Sequence, residues 1–278
     1  MVLIYLLIIL TGAAFGSFFN VCIWRIPRKE SIILPASHCP NCHQAIKPWH
    51  NIPVISFIFL KGKCRYCGNP INSQYLIVEL LTPLVWLLLF WRFVQPGISE
   101  FRAMNSGLIE LLPFLRYIFS YCLIWLKYVI LYSSGIIIFF IDLKHNIIPD
   151  RISLPLIVLG LGIAVFPQSD ISILKALGGA AAGFSFLYLL ALAVSYSIGK
   201  ESLGGGDIKY ITALGMFLGI QGVLFTIFSS ATIALIMVGI LRKDRSSGVP
   251  FGPFLVIGAF IYTMLGNWML SSYLDLFY

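Results

Sequence analysis

Two aspartates border apolar segments of this sequence, and their positions suggest hydrolytic chemistry. Asp142 closes the run "SSGIIIFFID", and Asp207 opens the run "DIKYITALGMFLG". Ionisable groups within or beside apolar segments are costly, so they mark functional sites by default. A carboxylate at the C-terminal end of a helix also faces the negative end of the helix dipole, which leaves Asp142 without an evident structural purpose. Two carboxylates that meet at one site can share a proton and activate water.

Three glycines, Gly204, Gly205 and Gly206, remove every side chain directly before Asp207. Glycine permits sharp bends and lets another segment lie against the backbone. Irregular backbone at membrane depth is tolerated only where it lines a cavity or is buried in protein. We therefore predict that the glycines form one wall of a polar site. The alternative is a glycine-rich loop in which Asp207 only caps a helix.

Four cysteines form a second group with possible chemistry. Cys39 and Cys42 make one C-x-x-C pair, Cys64 and Cys67 make another, and the spacing between the pairs is typical of structural zinc sites. Two disulfides, an iron centre or reduced thiols without metal are the alternatives, and disulfides would need an oxidising compartment. Because four thiolates fill a tetrahedral shell, we predict a structural zinc site with no open catalytic position.

The sequence has only eleven acidic residues, so the others can be considered one by one. Glu79 lies within an apolar segment and is a further candidate site residue. Asp150 follows Pro149 and is predicted to cap the helix that starts there. Solvated positions in loops or at the ends of spans explain the remaining acidic residues: Glu30, Glu100, Glu110, Asp170, Glu201, Asp244 and Asp275.

The elements that must position these residues are membrane helices. Hydrophobic residues make up 59% of the chain and charged residues 11%, and the mean hydropathy is +0.93. Such a composition is typical of a polytopic membrane protein. We predict an all-α fold with about eight transmembrane helices, on the apolar runs 2–24, 76–94, 119–141, 152–167, 172–198, 208–221, 222–241 and 250–270.

The predicted division is a first transmembrane helix at 1–24, a loop with the four-cysteine module at 25–74, and a transmembrane bundle at 75–278. The first helix reads as a retained anchor, since no basic segment precedes it and no small-residue cleavage site follows it. The loop carries seven lysines and arginines and is therefore predicted to face the cytoplasm, with both termini outside. With eight spans, Asp142 and Asp207 both fall at the cytosolic face.

The net charge of +8 needs no nucleic acid to explain it. The positive-inside bias and contact with anionic membrane lipid account for the excess of basic residues. We therefore predict lipid, and no nucleic acid, as a partner. Few basic residues fall on the predicted outer side, chiefly Arg92, Arg102, Arg116 and Lys175.

The segment "GGGD" at 204–207 resembles the G-x-G-D signature of intramembrane aspartyl proteases. Together with other segments in order, it makes the chain similar to the bacterial prepilin peptidases, also called type IV leader peptidases, from about residue 12 to residue 260. Those segments are "FGSFFNVCIWRIP" (15–27), the paired C-x-x-C loop, "QYLIVELLT" (74–82), "IDLKHNIIPD" (141–150) and "VPFGPFL" (249–255). The stretch from about 95 to 118 matches no motif of this family.

The resemblance implies a multi-pass enzyme of the bacterial inner membrane, in type IV pilus biogenesis or type II secretion. Such enzymes cut a short basic leader from prepilins and pseudopilins at the cytosolic face, then N-methylate the new N-terminal residue with S-adenosylmethionine. The family's catalytic aspartates correspond to Asp142 and Asp207, and proteolysis needs no metal. Further substrate-binding or site-shaping residues are implied at Gly204, Gly205, Gly206, Pro250, Gly252 and Glu79.

Two other classes of function remain open from the residues alone. One is a transporter or channel with a cytosolic zinc module, although no inverted repeat is visible in the sequence. The other is a non-catalytic assembly platform of a secretion machine. Substitution of Asp207 by asparagine distinguishes an enzyme from both alternatives, because only an enzyme should lose substrate processing.

Overall fold

The computed structural model describes residues 1–104, 111–198, 204–241 and 249–274. The described chain is helical and forms two compact units, Met1–Trp91 and Arg92–Tyr278. Its helices are α1 (Val2–Arg25), α2 (Ile55–Phe59), α3 (Gln74–Phe93), α4 (Gln95–Met104), α5 (Leu111–His145), α6 (Asp150–Ala164), α7 (Ile173–Ile198), α8 (Gly205–Leu241) and α9 (Gly252–Leu274).

In the first unit, helices α1 and α3 cross at small residues. A Cβ atom on Gly12 would lie 2.7 Å from the Cα atom of Pro83, and one on Gly16 would lie 2.9 Å from the Cα atom of Glu79. The absence of side chains at these glycines lets the two backbones approach closely, as is common between membrane helices. Asn20 adds a polar link between the helices, since its amide donates to the backbone oxygen of Tyr75 at 3.1 Å.

In the second unit, helix α5 ends where the sequence changes from apolar to polar. Asn146 adopts a left-handed conformation with φ 51° and donates its backbone N–H to the Asp142 carbonyl at 2.9 Å. A left-handed residue after the last turn is a common helix terminator. Pro149 then fixes an extended backbone as the N-cap of α6. Asp142 therefore lies in the last turn of α5, as the sequence predicts.

Helix α8 contains a reversal of chain direction at Gly219, where φ is 70° and ψ is −174°. In 205–218, Gly179 of α7 lies against Gly215, and Gly183, further along α7, lies against the earlier residue Ile211. In 220–241, Gly183 lies against Val223, and the rings of Phe186 and Phe228 lie 6.3 Å apart. Residues further along α7 thus meet earlier residues of 205–218 but later residues of 220–241. The two halves of α8 therefore run in opposite directions, as a helical hairpin.

The predicted all-α membrane fold is confirmed, and each predicted apolar run coincides with a described helix or helix half. By length and apolar composition, five described helices could cross a membrane, with 205–240 counted as one of them. The 15 residues of α6 and the described apolar part of α9, Gly252–Gly266, are shorter. The number of eight spans stays a prediction.

Candidate active site

The Asp142 side chain is buried and held by the start of helix α9. The side chain of this residue is only 4% exposed, and its Oδ2 atom accepts the backbone N–H of Gly252 at 2.9 Å. A Cβ atom on Gly252 would lie 2.8 Å from the same oxygen, closer than normal contact. The segment "VPFGPFL" therefore needs glycine at this position to fix the carboxylate of a residue 110 positions away.

Asp207 lies near Asp142, because the residue before Asp207 and the glycine that binds Asp142 both pack against Ile148. Asp207 is half-buried in the first turn of α8. Ile148 lies between the two segments, since Cβ atoms added to Gly206 and Gly252 would lie 3.0 Å and 3.1 Å from its side chain. The structure therefore brings together the two aspartates that the sequence singled out, at one end of the second unit.

The three glycines before Asp207 have different surroundings. A Cβ atom on Gly206 would lie 3.1 Å from the Ile148 carbonyl oxygen, whereas one on Gly204 would lie 3.2 Å from Oδ2 of Asp207. No heavy atom lies within 4 Å of the corresponding position on Gly205. The predicted close approach of another segment holds for Gly206. Gly206 has no positive φ, so its contacts with Ile148, and not a left-handed turn, explain the need for glycine at that position.

In the first unit, the four predicted metal ligands form one cluster. The sulfur atoms of Cys39, Cys42, Cys64 and Cys67 all lie within 4.8 Å of one another, and those of Cys39 and Cys67 are 3.9 Å apart. A zinc ion with bonds of about 2.3 Å to four sulfurs needs sulfur–sulfur distances of about 3.8 Å. The cluster therefore has the size and the donor set of a tetrahedral metal site.

The two C-x-x-C segments also share one backbone geometry. Cys39 donates its N–H to the oxygen of Gln44 at 3.0 Å, and Cys64 donates to Asn69 at 2.8 Å, five residues on in each case. The left-handed positions His43 (φ 56°) and Gly68 (φ 72°) are equivalent in the two segments. Backbone N–H groups of Cys67 and Tyr66 lower the pKa of Cys64 to about 7. The pKa of Cys67 is raised to about 11, because burial and the neighbouring thiols outweigh a backbone hydrogen bond at Asn69.

Comparison with known proteins identifies the family. The sequence model of the bacterial peptidase A24 N-terminal domain matches residues 10–93, and that of the type IV leader peptidase family matches residues 129–239. A prepilin leader peptidase/N-methyltransferase of Xanthomonas campestris pv. campestris is 32% identical, over 95% of this chain and 92% of its own. The chain belongs to the type IV leader peptidase family.

Other relatives in the family carry the same name. Proteins from Neisseria gonorrhoeae and Legionella pneumophila are each 32% identical, over 90% and 97% of this chain and 86% and 94% of their own. No solved structure matches the chain. These comparisons confirm the predicted family and, with it, the predicted class of enzyme, a leader peptidase with N-methyltransferase activity.

The remaining predicted site residues of this family member lie in different places. Pro250 lies two residues before Gly252, the first residue of helix α9. Glu79 lies in the first unit on α3, where it is 7% exposed and its Oε2 atom accepts the backbone N–H of Val54 at 2.7 Å. Val54 has φ 63°, which is unusual for a β-branched residue. Glu79 thus ties the cysteine-containing segment to α3, and its role towards substrate stays a prediction.

Two expectations about acidic residues differ from the structure. Asp150 is the first residue of α6 and not its cap, and its carboxylate pairs with Lys209 at 2.8 Å. Asp170 is not simply solvated, because it forms a 2.6 Å ion pair with the buried Lys127. A lysine in the middle of an apolar run is the signal for this pair, because a buried ammonium group needs a carboxylate nearby.

Proposed function

We propose that this protein removes the leader of type IV prepilins and pseudopilins at the cytosolic face of the inner membrane, with Asp142 and Asp207 as the catalytic pair. The observation that carries the proposal is the approach of these carboxylates, with Gly252 fixing one of them. They are contributed by helix ends 65 positions apart in the sequence, and both are at least half-buried. Paired carboxylates in such surroundings suit general acid–base hydrolysis.

The geometry supports different roles for the two carboxylate oxygens of Asp142. Oδ2 of Asp142 is occupied by the Gly252 N–H, which leaves Oδ1 to hydrogen-bond a water molecule. One carboxylate takes the proton of the water as its oxygen attacks the scissile carbonyl carbon. The other, protonated, carboxyl group gives its proton to the leaving amine as the peptide bond breaks. Because the proton is shared, the two residues act as a pair.

The same proposal includes N-methylation of the new N-terminus and cleavage in the cytosolic leaflet. S-adenosylmethionine, when bound, supplies the methyl group that the N-terminal amine accepts. The name shared by the relatives supports this second activity. The seven basic residues of 25–74 support a cytoplasmic position of this segment by the positive-inside rule.

We further propose that Cys39, Cys42, Cys64 and Cys67 hold a structural zinc ion. The sulfur–sulfur distances and the matched backbone geometry of the two segments support this assignment. A closed four-thiolate shell gives the ion no position for substrate, so it acts as a cross-link of the loop. Proteolysis proceeds through the carboxylates.

The test is cleavage of a prepilin by purified protein in detergent, followed by mass spectrometry of the products with and without S-adenosylmethionine. Asp142→Asn and Asp207→Asn should each abolish cleavage. Asp150→Asn is the matched control, because it removes an exposed carboxylate that pairs with Lys209 near the same helix ends. Cleavage that survives in either variant would overturn the assignment of the aspartates, and a wild-type protein that cleaves no prepilin would point to a transporter or a non-catalytic platform.

A further inference from the structure

A cavity with charged residues in its wall lies in the same unit as the aspartate pair, at the other end of its helices. Its volume is about 620 Å³, and its wall includes Gly219, where α8 reverses. Lys127 in this wall precedes Asp142 by fifteen residues of α5, and Gly219 follows Asp207 by twelve residues of α8. At 1.5 Å per residue these separations are about 18–22 Å. No residue of the aspartate site lines this cavity.

Basic side chains outnumber acidic ones among the described residues that line the cavity. Arg92, Lys127 and Lys175 face one carboxylate, Asp170. That carboxylate is already satisfied, because Lys127 binds one oxygen at 2.6 Å and the Tyr128 hydroxyl donates to the other at 2.9 Å. Lys127 is 2% exposed, so its charge is confined to the cavity wall.

Arg92 and Lys175 remain as the two cations available to a ligand. Arg92 donates a long 3.4 Å bond from Nε to the backbone oxygen of Met264, and its guanidinium lies 5.3 Å from the centre of the Phe93 ring. Lys175 is exposed. Within the described part of the chain, neither forms an ion pair. These two cations give the cavity an excess of positive charge, which suits an anionic partner.

The depth of the cavity and its surroundings indicate what that partner is. If the aspartates lie at the cytosolic face, a separation of about 20 Å places the cavity towards the opposite headgroup region of a bilayer with a core of about 30 Å. Tyr121, Tyr128 and Tyr262 line it, and tyrosine is enriched at this depth. Beside it, Leu174 is 83% exposed and Ile220 is 47% exposed, which gives acyl chains an apolar surface.

We propose that this cavity binds the phosphate of an anionic phospholipid headgroup in the outer leaflet. Arg92 and Lys175 contact the phosphate oxygens, because guanidinium and ammonium groups form strong charge-assisted hydrogen bonds with phosphate. Lys127, Asp170 and Tyr128 form the fixed, internally neutralised floor. The lipid joins Arg92 to Lys175 in the first turn of α7, beside the tip of the α8 hairpin.

The experiment measures lipid binding to the purified full chain in neutral detergent. Native mass spectrometry and thermal shift are recorded with phosphatidylglycerol, with phosphatidylcholine and with inorganic phosphate. The variants are Arg92→Gln, Lys175→Gln and the double variant. The matched control, Lys47→Gln with Lys63→Gln, removes two exposed cations from the first unit. Cleavage of prepilin checks that each variant is folded.

Phosphatidylglycerol should bind with one molecule per chain and raise the melting temperature of the wild type. Each single substitution should weaken binding about fivefold and the double variant about 25-fold, from the usual contribution of a basic residue to anionic-lipid binding. The control should bind as the wild type does. Equal binding of phosphatidylglycerol by the folded double variant overturns the proposal. Equal affinity for phosphatidylcholine, or binding of free phosphate without lipid, overturns the assignment to an anionic lipid.

Discussion

Replacing Gly252 with alanine should disable the aspartate pair although both aspartates are kept. The new Cβ atom would lie 2.8 Å from Oδ2 of Asp142 and 3.1 Å from Cδ1 of Ile148. Ile148 is itself packed against Gly206, so the strain is relieved most easily by displacement of the Asp142 carboxylate. That displacement breaks the 2.9 Å hydrogen bond from the Gly252 N–H.

The magnitude follows from that hydrogen bond. A hydrogen bond to a charged group contributes about 1.5–3 kcal/mol, which corresponds to a rate factor of about 10–150 if the lost stabilisation is felt in the transition state. We expect kcat for prepilin cleavage to fall by this factor with little change in KM, because the contact positions a catalytic group and does not bind substrate.

The assay is steady-state cleavage of a prepilin peptide by purified variants, with the melting temperature measured in parallel. Gly162→Ala is the control, since it adds the same methyl group in the same unit at a position with no heavy atom within 4 Å. A Gly252→Ala enzyme with wild-type kcat would refute the argument. So would an equal loss in the Gly162→Ala control.

Three further substitutions test other parts of the structure. Gly206→Ala should reduce cleavage far more than Gly205→Ala, because only the first would press on the Ile148 backbone; the same peptide assay decides. Gly68→Ala should destabilise the cysteine module by about 1–2 kcal/mol through its φ of 72°, with the metal retained, and competition with a zinc chelator measures this. Gly215→Ala should lower the melting temperature by several degrees, because its Cβ atom would overlap the Gly179 carbonyl where α7 and α8 cross.

Patterns local in the sequence predicted much of this structure. The cysteine spacing predicted a cluster whose sulfur atoms do lie together, because each C-x-x-C segment folds on its own backbone hydrogen bonds. The apolar runs predicted the helices, including separate runs at 208–221 and 222–241 that the structure joins through Gly219. Counting the membrane crossings predicted Asp142 and Asp207 at the same face; the structure brings their helix ends together around Ile148, and the face stays a prediction.

Contacts between distant segments could not be predicted in this way. The bond from Gly252 to Asp142 joins residues 110 positions apart, and no local pattern shows that a backbone N–H is aimed at a carboxylate. Ile148 has no polar or ionisable group that would mark it in the sequence, yet its side chain packs against both Gly206 and Gly252. No local pattern predicts the ion pair of Lys127 with Asp170, because the two residues are 43 positions apart in the sequence.

The reversal at Gly219 explains how α9 can take part in the site. Asp207 lies at the start of α8, close to Asp142, and 205–218 leads away from that end for about 20 Å. If α8 continued straight through its 37 residues, it would extend over about 55 Å, more than a bilayer core requires, and would end far from Asp142. Because 220–241 returns alongside α7, the chain that enters α9 is again at the level of the aspartates. Only then can the Gly252 N–H reach Oδ2 of Asp142, so the hairpin in α8 is a condition for that hydrogen bond and for the position of the carboxylate.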